Sequence, residues 1–415
     1  MWTLWKIALR NTIRHSRRTI ITGVVMMVGI AGFIFMDSAL AGSDRMAIDN
    51  MADYTVSSLK IRNPAYVDDI EGMPLDKGLA QPDAALVAAA SRGLAAAPRV
   101  RFVATVSNYT ENIPVIADAV DPAADSKVFK LSQSLSAGTW LEGAPARSVV
   151  LGATLASELT LGVGATVLIS AQTVNDTTNA DEYTVVGIIQ TPAPEVNSAG
   201  LFMPLDDARA LLDAPRALVT EIDVALPRAR SLGAALAASD REAVALRSVL
   251  PGTRIDPLAI LAQDYLGLRN LKARYSFAMI LVVLLIAAVG IVNTILMSVY
   301  SRVREIGVLR AYGMVPRDIL RLFTLEGLAV GIFGSLLGVA FGALLNLVMV
   351  VKGISLNAFA SSMGSMPLSG TLYGEWNPTT MIVGFLFGVV VSIVAARIPA
   401  RRAARLEPTA ALRFQ

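Results

Sequence analysis

Ser301-Arg-Val-Arg-Glu-Ile-Gly-Val-Leu-Arg-Ala-Tyr-Gly-Met-Val-Pro-Arg-Asp-Ile-Leu320 is the stretch whose reading decides the fold. It is short and basic, and it stands between two long apolar runs, Phe277 to Tyr300 before it and Thr324 to Val351 after it. Two more such runs, Ile20 to Leu40 and Thr380 to Ile398, lie toward the ends of the chain. Each is near the ~20 residues that cross ~30 Å of hydrocarbon. Lys6, Arg10, Arg14, Arg17 and Arg18 precede the first run, Arg302, Arg304, Arg310, Arg317 and Arg321 follow the second, and Arg397, Arg401, Arg402, Arg405 and Arg413 follow the fourth. Short loops rich in Lys and Arg stay in the cytoplasm. Four crossings with both termini inside are therefore expected.

The predicted boundaries are a cytoplasmic amphipathic helix at 1–19, spans at 20–41, 275–300, 322–351 and 379–398, and an extracytoplasmic domain at 42–274. A cytoplasmic segment at 301–321, a short outer loop at 352–378 and a cytoplasmic tail at 399–415 complete the chain. Between Gly42 and Arg274 there are 20 Lys+Arg against 27 Asp+Glu. The external domain is thus acidic, and the sequence pI of 9.1 belongs to the cytoplasmic rim. Basic residues clustered beside a bilayer favour anionic headgroups, which argues for a membrane partner and against nucleic acid.

Cysteine is absent, and the one histidine, His15, sits among arginines. Disulfides, thiolate metal sites and a histidine-based triad are excluded or disfavoured, and no metal site is expected. Ala39-Leu40-Ala41 has the form of a signal-peptidase site, but the apolar run before it exceeds the 7 to 15 residues of a signal-peptide core. It reads as an uncleaved anchor. Upstream, Trp2, Trp5, Leu9 and Ile13 recur at helical spacing beside a Lys6, Arg10, Arg14 and Arg17 stripe, as in a helix lying in the interface.

The external domain reads as a large two-lobed α+β structure, lobe 1 at about 42–127 and 228–258, lobe 2 at about 128–227, with a stalk at 259–274. Tyr54 to Ile61, Val100 to Tyr109 and Ile113 to Ala119 alternate as strands, with an Ala-rich helix from Asp83 to Ala96 between them. Ala165 to Ala171, Tyr183 to Ile189 and Thr220 to Leu226 are further strands, and helices are expected at Ala153 to Leu159, Leu205 to Leu212 and Ala229 to Ala238. Between Gln190 and Met203, Pro192 and Pro194 stiffen a loop and deny it strand pairing. Pro192, Pro194, Glu195, Val196 and Phe202 form a candidate periplasmic partner loop.

In the third span Gly327, Gly331, Gly334, Gly338 and Gly342 make one stripe, which lets another helix approach closely. Gly384, Gly388 and Ser392 repeat the device in the fourth. Glu326 is the ionisable residue nearest the membrane interior, a functional candidate by default, and its closeness to the cytoplasmic end of the span favours a snorkelling or helix-pairing role over a proton relay. Phosphate-loop, zinc-protease and nucleophile-elbow motifs are missing. Nucleotide energy would have to come from another chain.

Ser301 to Leu320, taken with Pro399-Ala-Arg-Arg-Ala-Ala-Arg-Leu-Glu-Pro-Thr-Ala-Ala-Leu-Arg413, resembles the permease subunits of MacB/FtsX/LolCDE-type (type VII) ABC systems. Ala8-Leu-Arg-Asn11 and Val150-Leu-Gly-Ala-Thr-Leu-Ala156 also look like that superfamily. The resemblance implies a non-catalytic subunit of the bacterial inner membrane that works by mechanotransmission. Its implied partners are a second permease subunit, self or paralogue, and a cytoplasmic ABC ATPase that binds ATP and Mg, with no cofactor in this chain. By position Arg304, Glu305, Ile306, Gly307, Arg310 and Gly313 belong to its ATPase-coupling segment, where Ile306, Val308 and Leu309 offer apolar groups to a groove.

Length and the absence of a fused ATPase make the layout most similar to LolC/LolE lipoprotein-releasing permeases. That similarity implies a lipoprotein substrate, a periplasmic chaperone and an apolar substrate surface at Phe33, Phe35, Met36, Phe277 and Met279. MacB-like export of another amphipathic substrate, or FtsX-like signalling to an extracytoplasmic enzyme, are the alternatives.

Overall fold

The structure, a computed structural model, describes residues 5, 6, 10, 16–229, 231–355 and 371–405, without the side chains of 16–19, 270, 273, 276, 279, 280, 283 and 284. The expected interfacial helix, the middle of the 352–378 loop and the end of the tail lie outside the described residues.

The first element whose range is described is helix α1 (Ser16–Tyr54), followed by β1 (Leu59–Arg62), α2 (Pro82–Ser91), β2 (Ala95–Ser107) and β3 (Asn112–Val120). Then come β4 (Leu135–Gly138), β5 (Ser148–Gly152), β6 (Thr166–Gln172), β7 (Thr178–Ile189), β8 (Gly200–Pro204) and β9 (Glu221–Ala225). Helix α3 (Leu232–Val249) and β10 (Arg254–Pro257) lead into α4 (Gln263–Ser301), α5 (Val303–Ala311), α6 (Pro316–Lys352) and α7 (Pro378–Ala404). Two compact units result, one built on Asp44–Gly267 and the other on the helices outside it. Helices α1 and α4 run through the boundary between them.

In the sheet unit, six strands close a ring in the order β2, β3, β8, β5, β7, β6 and back to β2. Closure depends on β6, which pairs with the end of β2 from Ala104↔Ala171 to Ser107↔Leu168. Alternation along β2 and β3 sends Val100, Phe102, Ala104, Val106, Val115 and Ala117 into one buried core, as the two-residue period of a strand requires. Val103, on the other face, is 51% exposed.

The first half of β2 belongs to a second layer. Arg99↔Glu221 joins it to β9, Leu59↔Val224 joins β9 to β1, and Leu59↔Pro257 joins β1 to β10. Helices α2 and α3 cover the apolar face of this extension, where Leu59, Ile61, Ile222, Val224 and Ile255 meet Ala85, Ala89, Ala243 and Leu246. The two layers thus share one continuous sheet through β2, and they cut across the expected lobes: β3, from the stretch assigned to lobe 1, lies in the ring, and β9, from that assigned to lobe 2, lies in the extension.

Because Lys60 lies between Leu59 and Ile61, it faces the other way, into a buried charged layer. Its Nζ donates to Glu221 Oε1 at 2.5 Å and lies 3.2 Å from Asp223 Oδ1. Arg99 Nε and Nη2 donate to Asp125 Oδ1 at 2.9 and 2.7 Å, and the guanidinium stacks 3.7 Å over the Phe129 ring. Burial raises the Asp223 carboxyl to about 6, with Lys60 countering and Glu221 reinforcing the rise. Burial would raise Glu221 as well, but Lys60 and Arg101 hold it below the usual carboxylate range.

Three boundaries differ from the sequence reading for local reasons. The Ala-rich helix stops at Ser91 because Gly93 takes a left-handed conformation (φ 71°), with Leu94 N donating to Ala89 O and Gly93 N to Ala90 O, a Schellman stop. Ala95 and Ala96 then start β2. Tyr54 still belongs to α1, and β1 begins only at Leu59 after Ser57 turns at φ 59°. Pro194–Ala199 forms a helical turn, started by Pro194, and Gly200–Pro204 is a buried strand.

Among the described residues, three helices are long and apolar enough to cross a membrane: α1 from Ile20, α6 and α7. Leu285–Ser301 of α4 and α5 form a pair bent by 63°.

Candidate functional site

The basic end of the helix unit is built from the α4–α5–α6 connection. Arg302 ends α4 with φ −123° and ψ 16°, and α5 departs from there. It ends by a second Schellman stop, in which Met314 N donates to Leu309 O and Gly313 N to Arg310 O, with Gly313 at φ 92°. Pro316 at the first turn of α6 starts the next helix, a position where its missing N–H costs nothing. The segment is therefore a defined short helix held between two turns.

Its faces divide sharply. Val303, Ile306 and Gly307 are buried, and Ile306 joins Ile295, Val299, Ile319, Phe323, Ala396 and Ala400 in one cluster. Arg304 and Glu305 are exposed, as are Val308 (41%), Leu309 (37%) and Tyr312 (87%). Ile306 thus serves the bundle, and the free apolar face consists of Val308, Leu309 and Tyr312. Tyr312 escaped sequence reading, although its position four residues after Val308 and three after Leu309 was a visible signal. Arg310 Nη1 donates to Ala404 O at 3.4 Å, tying α5 to the end of α7.

Above the break, Glu326 is buried and accepts from Arg302 Nη1 at 2.9 Å and Ser298 Oγ at 3.3 Å. Arg302 Nε also donates to Glu305 Oε2 at 2.9 Å. One guanidinium therefore contacts a carboxylate on α5 and another on α6.

The glycine stripe on α6 serves two partners. Gly331 lies 2.5 Å, measured from a built Cβ, from the Ser392 side chain of α7, and Gly327 faces Ala396. Gly334, Gly338 and Gly342 meet Met26, Ile30 and Ala31 with Ile34 on α1. On α7, Gly388 faces Ser335 and Ile30, while Gly384 has only ordinary contacts with Ile30 and Phe33. Ser392 Oγ donates to Gly327 O at 2.5 Å. At the opposite end Ser38 Oγ donates to Asn346 Oδ1 at 2.5 Å and Thr380 Oγ1 to Asp37 Oδ2 at 2.7 Å. Thr22 and Thr294 hydroxyls pair at 2.7 Å between α1 and α4.

The other expected surfaces are placed as follows. Phe33 and Phe35 are half-buried, while Met36 and Phe277 are 48% and 60% exposed; the Met279 side chain lies outside the described residues. The Phe277 ring lies tilted against that of Phe387 on α7, 6.4 Å between centroids, and Phe33 packs under Gly384 of the same helix. In the sheet unit Phe202 is 2% and Val196 7% exposed, with Phe202 tilted against Trp140. In that loop Gln190, Glu195 and Ser198 are exposed, and Pro192 and Pro194 are half-buried. Glu195, Val196 and Phe202 line, with Tyr54, Arg101 and Asp118, a cavity of about 400 Å³. Among the described residues no cluster of three or more His, Asp or Glu is placed to hold a metal ion.

Comparison with known proteins matches residues 19–241 to the MacB-like periplasmic core domain and residues 277–408 to the FtsX-like permease C-terminal family. A lipoprotein-releasing system transmembrane protein LolC of Neisseria meningitidis is 27% identical over 339 residues, covering 78% of each chain. LolE of Haemophilus influenzae is 25% identical over 337 residues, covering 76% of each. A macrolide export ATP-binding/permease protein MacB of Shewanella oneidensis is 33% identical over 135 residues, 32% of this chain and 18% of that longer protein. With a core-domain match over more than half its length and a permease match beyond it, this chain belongs to the MacB/FtsX/LolCDE-type ABC transporter permeases.

Proposed function

We propose that the chain is the permease subunit of a mechanotransmitting ABC transporter that extracts lipoproteins, or amphipathic substrates like them, from the outer leaflet of the inner membrane. In this reading the chain crosses four times, with Phe277 to Tyr300 of α4 as the second crossing, the basic end cytoplasmic and the sheet unit periplasmic. The segments 1–19, 301–321 and 399–415 are then cytoplasmic, and the loop at 352–378 lies outside. A partner ATPase docks on Val308 and Leu309 of α5 and on Tyr312 just after it, with Arg304 and Glu305 exposed a turn earlier on the same helix, and a second permease subunit completes the assembly.

The observation that carries the reading is the length of α1 and α4. Each runs 39 residues, roughly 58 Å at ~1.5 Å per residue, about twice the ~30 Å of hydrocarbon. Such helices pass displacement from one side of a bilayer to the other without a joint. Beyond the bilayer they are tied together, since Tyr265 Oη donates to Asp44 Oδ1 at 3.0 Å and Ile48 clusters with Leu258 and Ala262. The names of the LolC and LolE relatives support a lipoprotein as cargo.

Reconstituting the chain with its ATPase in nanodiscs and adding purified acylated lipoprotein tests this function. Hydrolysis should rise severalfold, and the deacylated protein should have no effect. Equal hydrolysis with and without acylated protein would reject it.

A further inference from the structure

The 63° bend between α4 and α5 sits at a single residue, Arg302. A bend of this kind is a weak point in a mechanical path, because a load applied to α5 can be absorbed by rotation about the break. Arg302 itself is braced. Its side chain is 13% exposed and its guanidinium lies 5.9 Å over the Phe323 ring of α6. It donates forward to Glu305 on α5 and across to Glu326 on α6, both at 2.9 Å. Glu326 also accepts from Ser298, one turn before the break on α4. Glu326 thus holds the α4 side and the break residue to α6, and Arg302 carries the link on to α5 through Glu305. A charge-assisted pair kept from water is short and directional.

Glu326 immediately precedes Gly327, the first residue of the stripe that seats α6 on α7 and α1. Motion given to Glu326 therefore enters a helix that is already interlocked with two others. We infer that Arg302 and Glu326 are positioning residues which lock the α4–α5 bend to α6, so that displacement of α5 is delivered to the helix unit instead of being lost in the hinge. The inference rests on the mechanotransmission reading and adds the residues through which force leaves α5.

The sequence contains no cysteine, so with a cysteine-free variant of the ATPase spin labels can be placed without background at the exposed positions Ser198 and Arg401. In the full complex with its ATPase, the distance between them is compared without nucleotide and with ATP trapped by vanadate. The wild type should show a nucleotide-dependent shift. Glu326→Gln should retain bound ATPase at wild-type yield and reduce the shift at least fivefold. Arg302→Lys, which keeps the charge, should retain most of it, and Arg302→Glu combined with Glu326→Arg should recover at least half. A full shift in Glu326→Gln, or a double variant as defective as Arg302→Glu alone, would overturn the inference while leaving mechanotransmission standing. A wild type that never shifts would overturn both.

Discussion

A Cβ built on Gly338 of α6 would stand 2.8 Å from the Cβ of Ile30 on α1, closer than side chains tolerate. The two helices meet there with no room for a methyl group. Membrane helices gain little from apolar burial alone, since lipid is equally apolar, and rely on close packing instead.

Substitutions along the stripe should therefore differ by site. Gly338→Leu and Gly327→Ala, the latter against the Ala396 Cβ, force the neighbour to move and should lower stability by about 1–3 kcal/mol. Gly384→Ala meets atoms no nearer than 3.5 Å and should be close to neutral. Thermal unfolding in detergent checks the contrast, and equal effects at all three sites would count against the packing.

Gly313 has open space around it and a φ of 92°, so its requirement is conformational. Gly313→Ala should strain the end of α5 by about 1–2 kcal/mol and reduce ATPase co-purification roughly tenfold, whereas Gly313→Asn should lose less. Pull-down yields under matched expression measure this.

The buried charged layer of the sheet unit predicts a pH dependence. Asp223 binds its proton more tightly folded, with its carboxyl raised from 3.8 to about 6. Its contribution is complete below about 3.8 and is lost as pH rises through about 6. Glu221, whose carboxyl is lowered, acts oppositely and is affected only toward lower pH. Between pH 4.5 and 7 the wild type should lose about 2 kcal/mol relative to Asp223→Asn, whose amide oxygen can still accept from Ser57. Melting curves of the full chain across that range report the difference, and parallel curves would contradict it.

At the far end of the bundle, Ser38→Ala and Asn346→Ala should show a coupling of about 0.6 kcal/mol, up to about 1.7 kcal/mol, in a double-mutant cycle. Simple additivity would mean that their 2.5 Å contact adds nothing to assembly.

The helices were readable because their signals are local. Apolar length, flanking arginines and the spacing of Gly327 to Gly342 each act within a few turns. Which helix each glycine meets was not readable, because Ile30 and Ser392 come from opposite ends of the chain. Ring closure is hidden for a similar reason: Ala104 and Ala171 carry no mark of their pairing, and β2 looks like any alternating strand despite belonging to two layers. Phe202 illustrates the ambiguity of short apolar runs. Leu201-Phe202-Met203 follows a proline-marked loop and reads as its exposed end, yet parallel pairing with β3 buries it. Ile306 and Val308 are alike in sequence, and only the packing of α5 against Phe323 and Ala400 separates a buried residue from an exposed one.

The central claim is that α5 presents Tyr312 and Val308 to a cytoplasmic ATPase. A photocrosslinking amino acid at Tyr312, activated in intact cells and followed by mass spectrometry of the adduct, tests it most directly. The account predicts capture of an ATPase carrying a phosphate-binding loop from Tyr312 and Val308, and little or none from the buried Ile306. Adducts from Tyr312 with lipid or extracytoplasmic proteins alone would contradict it.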